Sequence, residues 1–314
     1  MTNILKKYWD RYNSVILVYI FLIIIFAIVS ISFPLFRSPR NLTNILVQIA
    51  PLAILSIGQT IALIGGGVDL TVGSVVSLTT VFMANFMGDT PNISIIRILL
   101  VFAMAIVIGI VNGFLCNETK IPPLIVTLCT ASIIQGVILS YRMTPSGIFP
   151  KNISHFINFQ FGIFSVSTII IIILYVIFIT IMSRSSFGLH VYAIGGNPEF
   201  ARMAGINVKR VRMMTYVISA CLACVAGIVI AARTGTGIPN VGTTFLLDSL
   251  TAVIIGGTGF SGGQGFVLGT LAGAVMISII SNALNIANVS PFYQYIAKGA
   301  ILLLAMIINS RKKQ

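Results

Sequence analysis

Long apolar runs alternate with short polar breaks along nearly the whole chain. The first run, residues 14–33, is about 20 residues long, the length at which a helix spans a hydrocarbon layer. Further runs cover 42–64, 75–87, 93–116, 124–141, 164–182, 213–232, 245–255, 266–287 and 293–309. The pattern predicts an all-α polytopic membrane protein with about ten transmembrane helices. Residues 1–314 read as a single transmembrane domain. Two polar interruptions stand out, at 142–162 and 185–212.

The second interruption, SSFGLHVYAIGGNPEFARMAGINVKRVR, contains the signals of a short capped helix of about two turns. Asn197 suits the N-cap, since its side-chain oxygen can accept a bond from a free first-turn amide. Pro198 suits the first helical position, where its missing N–H costs nothing. Glu199 places negative charge at the positive end of the helix. Gly205 can take the left-handed conformation that closes it. Two readings follow: a preformed helix gripped by a cytoplasmic partner, or a solvated linker.

Glycine clusters break two apolar runs. Residues 65–74 read GGGVDLTVGS, with Gly65, Gly66 and Gly73 as expected breaks and Asp69 the one carboxylate in an apolar surround. Broken backbone is tolerated at membrane depth only inside protein or beside a water-filled cavity. An ionisable residue there is a functional candidate. The other reading of Asp69 is a cap on the following helix in a tight surface turn. Residues 256–265 read GGTGFSGGQG, with Gly256, Gly257, Gly262 and Gly263 as breaks. Ile64-Gly65-Gly66 aligns with Ile255-Gly256-Gly257, a faint internal resemblance. Paired glycine-interrupted segments point to a transport pathway. Both clusters fall on the same side in this topology, unlike those of a simple inverted repeat. Asn112, Gln135, Asn282 and Asn285 lie in or at the ends of spans, where they can bond neighbouring helices or line a polar path. Gly109 and Gly113, like Gly265, Gly269 and Gly273, have GxxxG spacing, which permits close helix packing.

Composition narrows the class. Hydrophobic residues make up 57% of the 314 and charged residues 8%, against about 25% charged in a soluble domain. The net charge of +13 therefore marks membrane edges and cytoplasmic loops, and no nucleic-acid partner is expected. An even number of spans puts both termini on one side. Lys6, Lys7, Arg11, Lys120, Arg184, Arg202, Lys209, Arg210, Arg212, Arg311, Lys312 and Lys313 then face inward, and Arg37, Arg40, Arg97, Arg142, Lys151, Arg233 and Lys298 lie outside or at span edges. That bias predicts cytoplasmic termini and a cytoplasmic loop at 185–212, with 142–162 outside. Tyr8 and Trp9 read as interface aromatics. No A-x-A-like site follows the first run, so no cleavable signal peptide is expected. The four cysteines sit in apolar runs and read as buried thiols. His155, alone in a polar loop, reads as solvated. No phosphate loop, HExxH or GxSxG is present, and no metal site is expected. Ser261-Gly262-Gly263-Gln264 is similar to the signature of ATP-binding-cassette ATPases, a reading rejected because the phosphate loop and soluble domain are missing.

Four segments carry a resemblance over nearly the whole chain: IGGGVDLTVGSVVSL (64–78), IPPLIVTLCTASIIQG (121–136), FGLHVYAIGGNPEFARMAGINV (187–208) and LLDSLTAVIIGGTGFSGGQGFVLGTLAGA (246–274), the last continuing to VSPFYQYIAKGAILLLA (289–305). The chain resembles the membrane permease of bacterial ATP-binding-cassette importers of the ribose/xylose/autoinducer-2 branch. Leu189, where a basic residue is common, and Gly67, where isoleucine or valine is frequent, depart from the family pattern. The resemblance implies an inner-membrane permease that pairs with a second permease subunit, as a homodimer or heterodimer. It implies two separate ATPase subunits carrying ATP and Mg, with no cofactor on this chain, and an extracytoplasmic sugar-binding protein. It makes Asn197, Pro198, Glu199, Arg202 and Gly205 the coupling helix seated in the ATPase. Asp69 and Asp248 match acidic positions of the family and, with Asn112 and Asn282, are candidates for the path or its gate. Ribose is the first expectation for the substrate, with xylose, another monosaccharide or autoinducer-2 open. An ion-driven secondary transporter would need a carboxylate relay, for which only Asp69 and Asp248 are available. An integral-membrane enzyme would need a ligand cluster that the sequence lacks.

Overall fold

The computed structural model describes residues 2–86 and 91–311. The side chains of Lys6, Lys7, Tyr8, Trp9, Arg11 and Arg311, and residues Met87, Lys312 and Lys313, lie outside the described residues. Among these, thirteen α-helices carry the fold: α1 Thr2–Ser32, α2 Pro39–Ile64, α3 Thr71–Asn85, α4 Pro91–Glu118, α5 Pro123–Tyr141, α6 Lys151–Asn158, α7 Val166–Arg184, α8 Ser186–Gly196, α9 Pro198–Met203, α10 Val208–Thr234, α11 Val241–Ile255, α12 Val267–Ile286 and α13 Pro291–Arg311. A 3-10 turn, Pro34–Arg37, precedes α2, and a small antiparallel hairpin pairs β1 (Gln160–Phe161) with β2 (Phe164–Ser165). Helices α1, α2, α4, α5, α7, α10 and α12 are long and apolar enough to cross a membrane, while α3, α11 and α13 are shorter apolar helices. The chain is an all-α polytopic membrane protein.

Helix α2 is the axis. Ser38 caps it by accepting the Asn41 amide, Pro39 opens it, and every residue from Ile49 to Ile64 is buried. That stretch is mostly apolar, and the hydroxyls of Ser56 and Thr60 donate back to the carbonyls of Leu52 and Ser56 within the helix. Helix α10 lies along α2 and also packs on α3 and α4, and α11 and α12 pack on the other flank of α2. The outer helices present large apolar side chains outward, such as Ile23 and Ile31 on α1 and Ile133 on α5. Small residues set the close crossings. A Cβ on Gly109 or Gly113 would stand 2.5 Å and 2.6 Å from the α-carbons of Val217 and Met213, so α4 lies directly on α10. A Cβ on Gly269 would overlap the carbonyl of Gly256, bringing α12 against the end of α11.

Three expectations need correction. Gly73 is not a break: it lies inside α3, which begins at Thr71, and its Cβ would stand 2.7 Å from the Gly242 carbonyl oxygen on α11. Its missing side chain serves a helix crossing. The 185–212 stretch holds more helix than the one short segment expected at its centre, since α8 and the start of α10 occupy most of the rest. Gly188, Val191, Ile194 and Gly195 make a buried stripe on α8 at helical spacing. The 142–162 loop is also folded. It holds α6, and Ser146 pairs with Gly237 in the connection after α10. Asn85 at the end of α3 exchanges hydrogen bonds with Ser146.

Candidate functional site

Helix α9 forms as its local sequence dictates. Asn197 closes α8, its amide donating to Ala193, and opens α9, its Oδ1 accepting from the amides of Glu199 and Phe200 at 2.9 Å and 3.1 Å. Glu199 falls in the first turn and Arg202 in the last, matching the helix dipole. Gly205 has φ +83°, and its amide and that of Ile206 return to Arg202 and Ala201. Ala201 is buried against the protein, whereas Phe200 and Met203 are 70% and 83% exposed. These two lie three residues apart, on one helical face. Asn207 then caps α10 through the Arg210 amide. Lys209 pairs with Glu118 at 2.6 Å and Asn117 donates to its carbonyl, tying the base of α10 to the end of α4.

The two glycine clusters form matching turns. Gly65, Gly66 and Gly67 donate to Ile61, Leu63 and Ala62; Gly256, Gly257 and Thr258 donate to Ala252, Ile254 and Val253. Gly66 and Gly257, at φ +78° and +89°, occupy the same left-handed position in each turn. The two clusters touch, with the Gly263 amide donating to the Ile64 carbonyl at 2.8 Å. Gly262 and Gly263 are also left-handed, at +73° and +69°.

The four polar candidates occupy three separate places. Asp69 and Asn112 come together through Thr71. The Asp69 carboxylate accepts from the Thr71 amide and hydroxyl, and Asn112 donates to the Thr71 hydroxyl at 3.0 Å. Both residues are buried within the bundle. Asp69 thus caps the start of α3, as one reading expected, but in the interior and not at a surface. Its second oxygen and Asn112 Oδ1 have no hydrogen-bond partner among the described residues. Thr127 on α5 secures this turn by donating to the Val68 carbonyl. Asp248 lies elsewhere, on α11, where it accepts from Lys298 of α13 at 2.7 Å. One helical turn away, Thr244 and Tyr295 share a hydrogen bond. Asn282 of α12 exchanges two amide bonds with Asn41 at the start of α2. Gln135 bonds Asn240, and Gln294 bonds Asn285.

Sequence reasoning missed Lys298 as the partner of Asp248. The available signal was an unmatched acid in the 245–255 run and an unmatched base in the 293–309 run. It also missed Tyr216, a fully buried tyrosine whose hydroxyl fills the space a Cβ on Gly67 would need. The Gly67 departure from the family pattern therefore has a packing counterpart.

The family described as branched-chain amino acid transport system / permease component matches residues 41–306. The ribose import permease RbsC of Bacillus subtilis (strain 168) is 34% identical over 305 residues, covering 93% of this chain and 91% of that protein. RbsC of Escherichia coli (strain K12) is 32% identical over 301 residues, covering 93% and 92%. The galactose/methyl galactoside import permease MglC of Escherichia coli (strain K12) is 31% identical over 331 residues, covering 99% and 98%. No solved structure matches.

Proposed function

The chain belongs to this permease-component family, and from that premise we propose that it is the membrane subunit of an ATP-binding-cassette importer that carries a monosaccharide, ribose first. The carrying observation is the 34% identity to a ribose import permease along 93% of the chain. In this reading the seven long and three shorter apolar helices make ten crossings, with both termini and α9 on the cytoplasmic side of the bacterial inner membrane. Helix α9 is the coupling helix. Its caps at both ends and its exposed apolar pair support that role, since a rigid two-turn rod can be pushed without bending. ATP and Mg belong to separate ATPase subunits. An extracytoplasmic binding protein delivers the sugar, and a second permease subunit completes the path. The buried, internally satisfied setting of Asp248 and Asn282 suits a neutral cargo that needs no charged relay.

Purification in mild detergent from the native host, followed by reconstitution with the co-purifying subunits and the binding protein, tests this. Uptake of labelled ribose that needs ATP and survives a protonophore is expected, with galactose and xylose as competitors. Uptake that survives ATP depletion and is abolished by a protonophore would instead make this an ion-driven carrier, with Asp69 the first residue to substitute. Preferential uptake of galactose would retain the importer and correct the sugar.

A further inference from the structure

Gly195 lies one residue before the end of α8, and Asn197 welds that end to α9. It is buried, and it faces the backbone hydrogen bond that joins the two glycine clusters. A Cβ at Gly195 would overlap the Ile64 carbonyl oxygen and stand 2.5 Å from the Gly263 nitrogen, the acceptor and donor of that bond. A Cβ at Gly262 would stand 2.7 Å from the Gly195 carbonyl oxygen and 2.9 Å from the Gly66 α-carbon. Three chain segments therefore meet backbone to backbone. A side chain can absorb a small displacement by changing rotamer. Bare backbone in close packing has no such slack and passes the displacement on.

We propose that Gly195 is a positioning residue that transmits movement of α9 to both glycine turns at once. The first turn leads within three residues to Asp69, whose carboxylate accepts from the Thr71 amide at the start of α3. The other leads to the start of α12, where Tyr192 of α8 also donates to the Gly265 carbonyl. Displacement of α9 thus shifts the entrances of α3 and α12 together. The inference rests on α9 being the coupling helix.

The test uses the reconstituted importer with its ATPase and binding protein. In Gly195→Ala, α8 must move off the Ile64 carbonyl oxygen, which the new Cβ would overlap, and off the Gly263 nitrogen, from 2.5 Å, until both reach the 3.4 Å where ordinary contact begins. Gly196→Ala is the matched control, because a Cβ there meets nothing within 4 Å. The expected result is that Gly195→Ala assembles with the ATPase and hydrolyses ATP while sugar moved per ATP falls roughly tenfold, within the usual span of coupling factors. Gly196→Ala keeps the wild-type ratio. A structural role alone would lower assembly and hydrolysis together. An unchanged transport-to-hydrolysis ratio in Gly195→Ala overturns the proposal, as does an equal loss in both variants. Should Gly195→Ala fail to assemble, spin labels at Met203→Cys and Gln264→Cys in a cysteine-free chain decide instead. Their separation stays fixed between nucleotide-free and ATP-bound states if the junction is rigid. A change approaching one helical turn, about 5 Å, overturns it. Absence of ATP-driven uptake by the wild-type importer defeats the coupling reading itself, whatever the variants do.

Discussion

Replacing Lys298 by methionine preserves most of the apolar stem and removes only the charge that faces Asp248. The pair is short, 2.7 Å, and both side chains are nearly buried, at 12% and 10% exposure. Loss of one member leaves Asp248 uncompensated in an apolar bundle, which costs about 3–5 kcal/mol for buried pairs in general. The Lys209–Glu118 pair is an internal reference at 2.6 Å, but it is 59% and 43% exposed. Exposed pairs contribute about 0–1 kcal/mol, because water screens the charges and two long side chains lose freedom. Near-equal distances thus predict unequal costs, with burial the deciding variable. At about 2–4 °C per kcal/mol, Lys298→Met should melt roughly 10 °C below wild type and Lys209→Met within a few degrees of it. Asp248→Asn should also destabilise, by stranding the lysine. The Asp248→Asn, Lys298→Met double variant should recover much of the loss, since no lone charge remains. The assay is thermal unfolding of the purified chain in one detergent, read by the fraction surviving as monodisperse protein. A Lys298→Met melt within 2 °C of wild type, or a double variant less stable than both singles, would refute the account.

Exchanging the charges of α9 by Glu199→Arg with Arg202→Glu opposes the helix dipole; under the proposed coupling role ATPase coupling should be lost while membrane insertion stays normal, and unchanged ATP-dependent uptake would remove α9 from that role. Gly242→Val should abolish recovery of folded protein, because its Cβ would overlap the Gly73 carbonyl at the α3–α11 crossing; a wild-type melt would show that the crossing can open without cost. Asn282→Leu takes the donor from Asn41 Oδ1, while Asn41 Nδ2 keeps the Phe36 carbonyl, and should cost about 1–3 kcal/mol; a melt equal to wild type would mean that the amide exchange contributes nothing.

Local chemistry made α9 legible. Asn197, Pro198 and Gly205 act on amides and carbonyls within a few residues, so their roles could be read without knowing the fold. The turn after Ile64 was legible for the same reason. The residues that sequence reading placed wrongly depend on distant neighbours. Gly73 was read as a break because its contact, Gly242, is 169 positions away. Lys298 was assigned to a membrane edge because its acid sits on another helix. Helix α8 was read as part of a polar loop because its buried stripe includes two glycines, which carry no hydrophobic signal. The faint match between residues 64–66 and 255–257 proved to be a shared hydrogen-bonding pattern, although only a few glycine positions betray it in sequence.

The bond between the base of α10 and the end of α4 has a mechanical consequence. Lys209, Asn117 and the Gly109–Gly113 contact fasten the two helices along much of their length. They form a doubled beam, and α9 joins its end. With 27 residues, α10 is a lever of about 40 Å. A tilt of about 5° over that length swings the far tip by roughly 3 Å. That tip carries the pairing of Gly237 with Ser146, whose two bonds are 3.0 Å each. The folded loop travels with that tip, because Phe149 donates to the Gly235 carbonyl and both Ser154 and Asn158 donate to the Ala232 carbonyl, so a tilt of a few degrees at one end is delivered to the loop at the other.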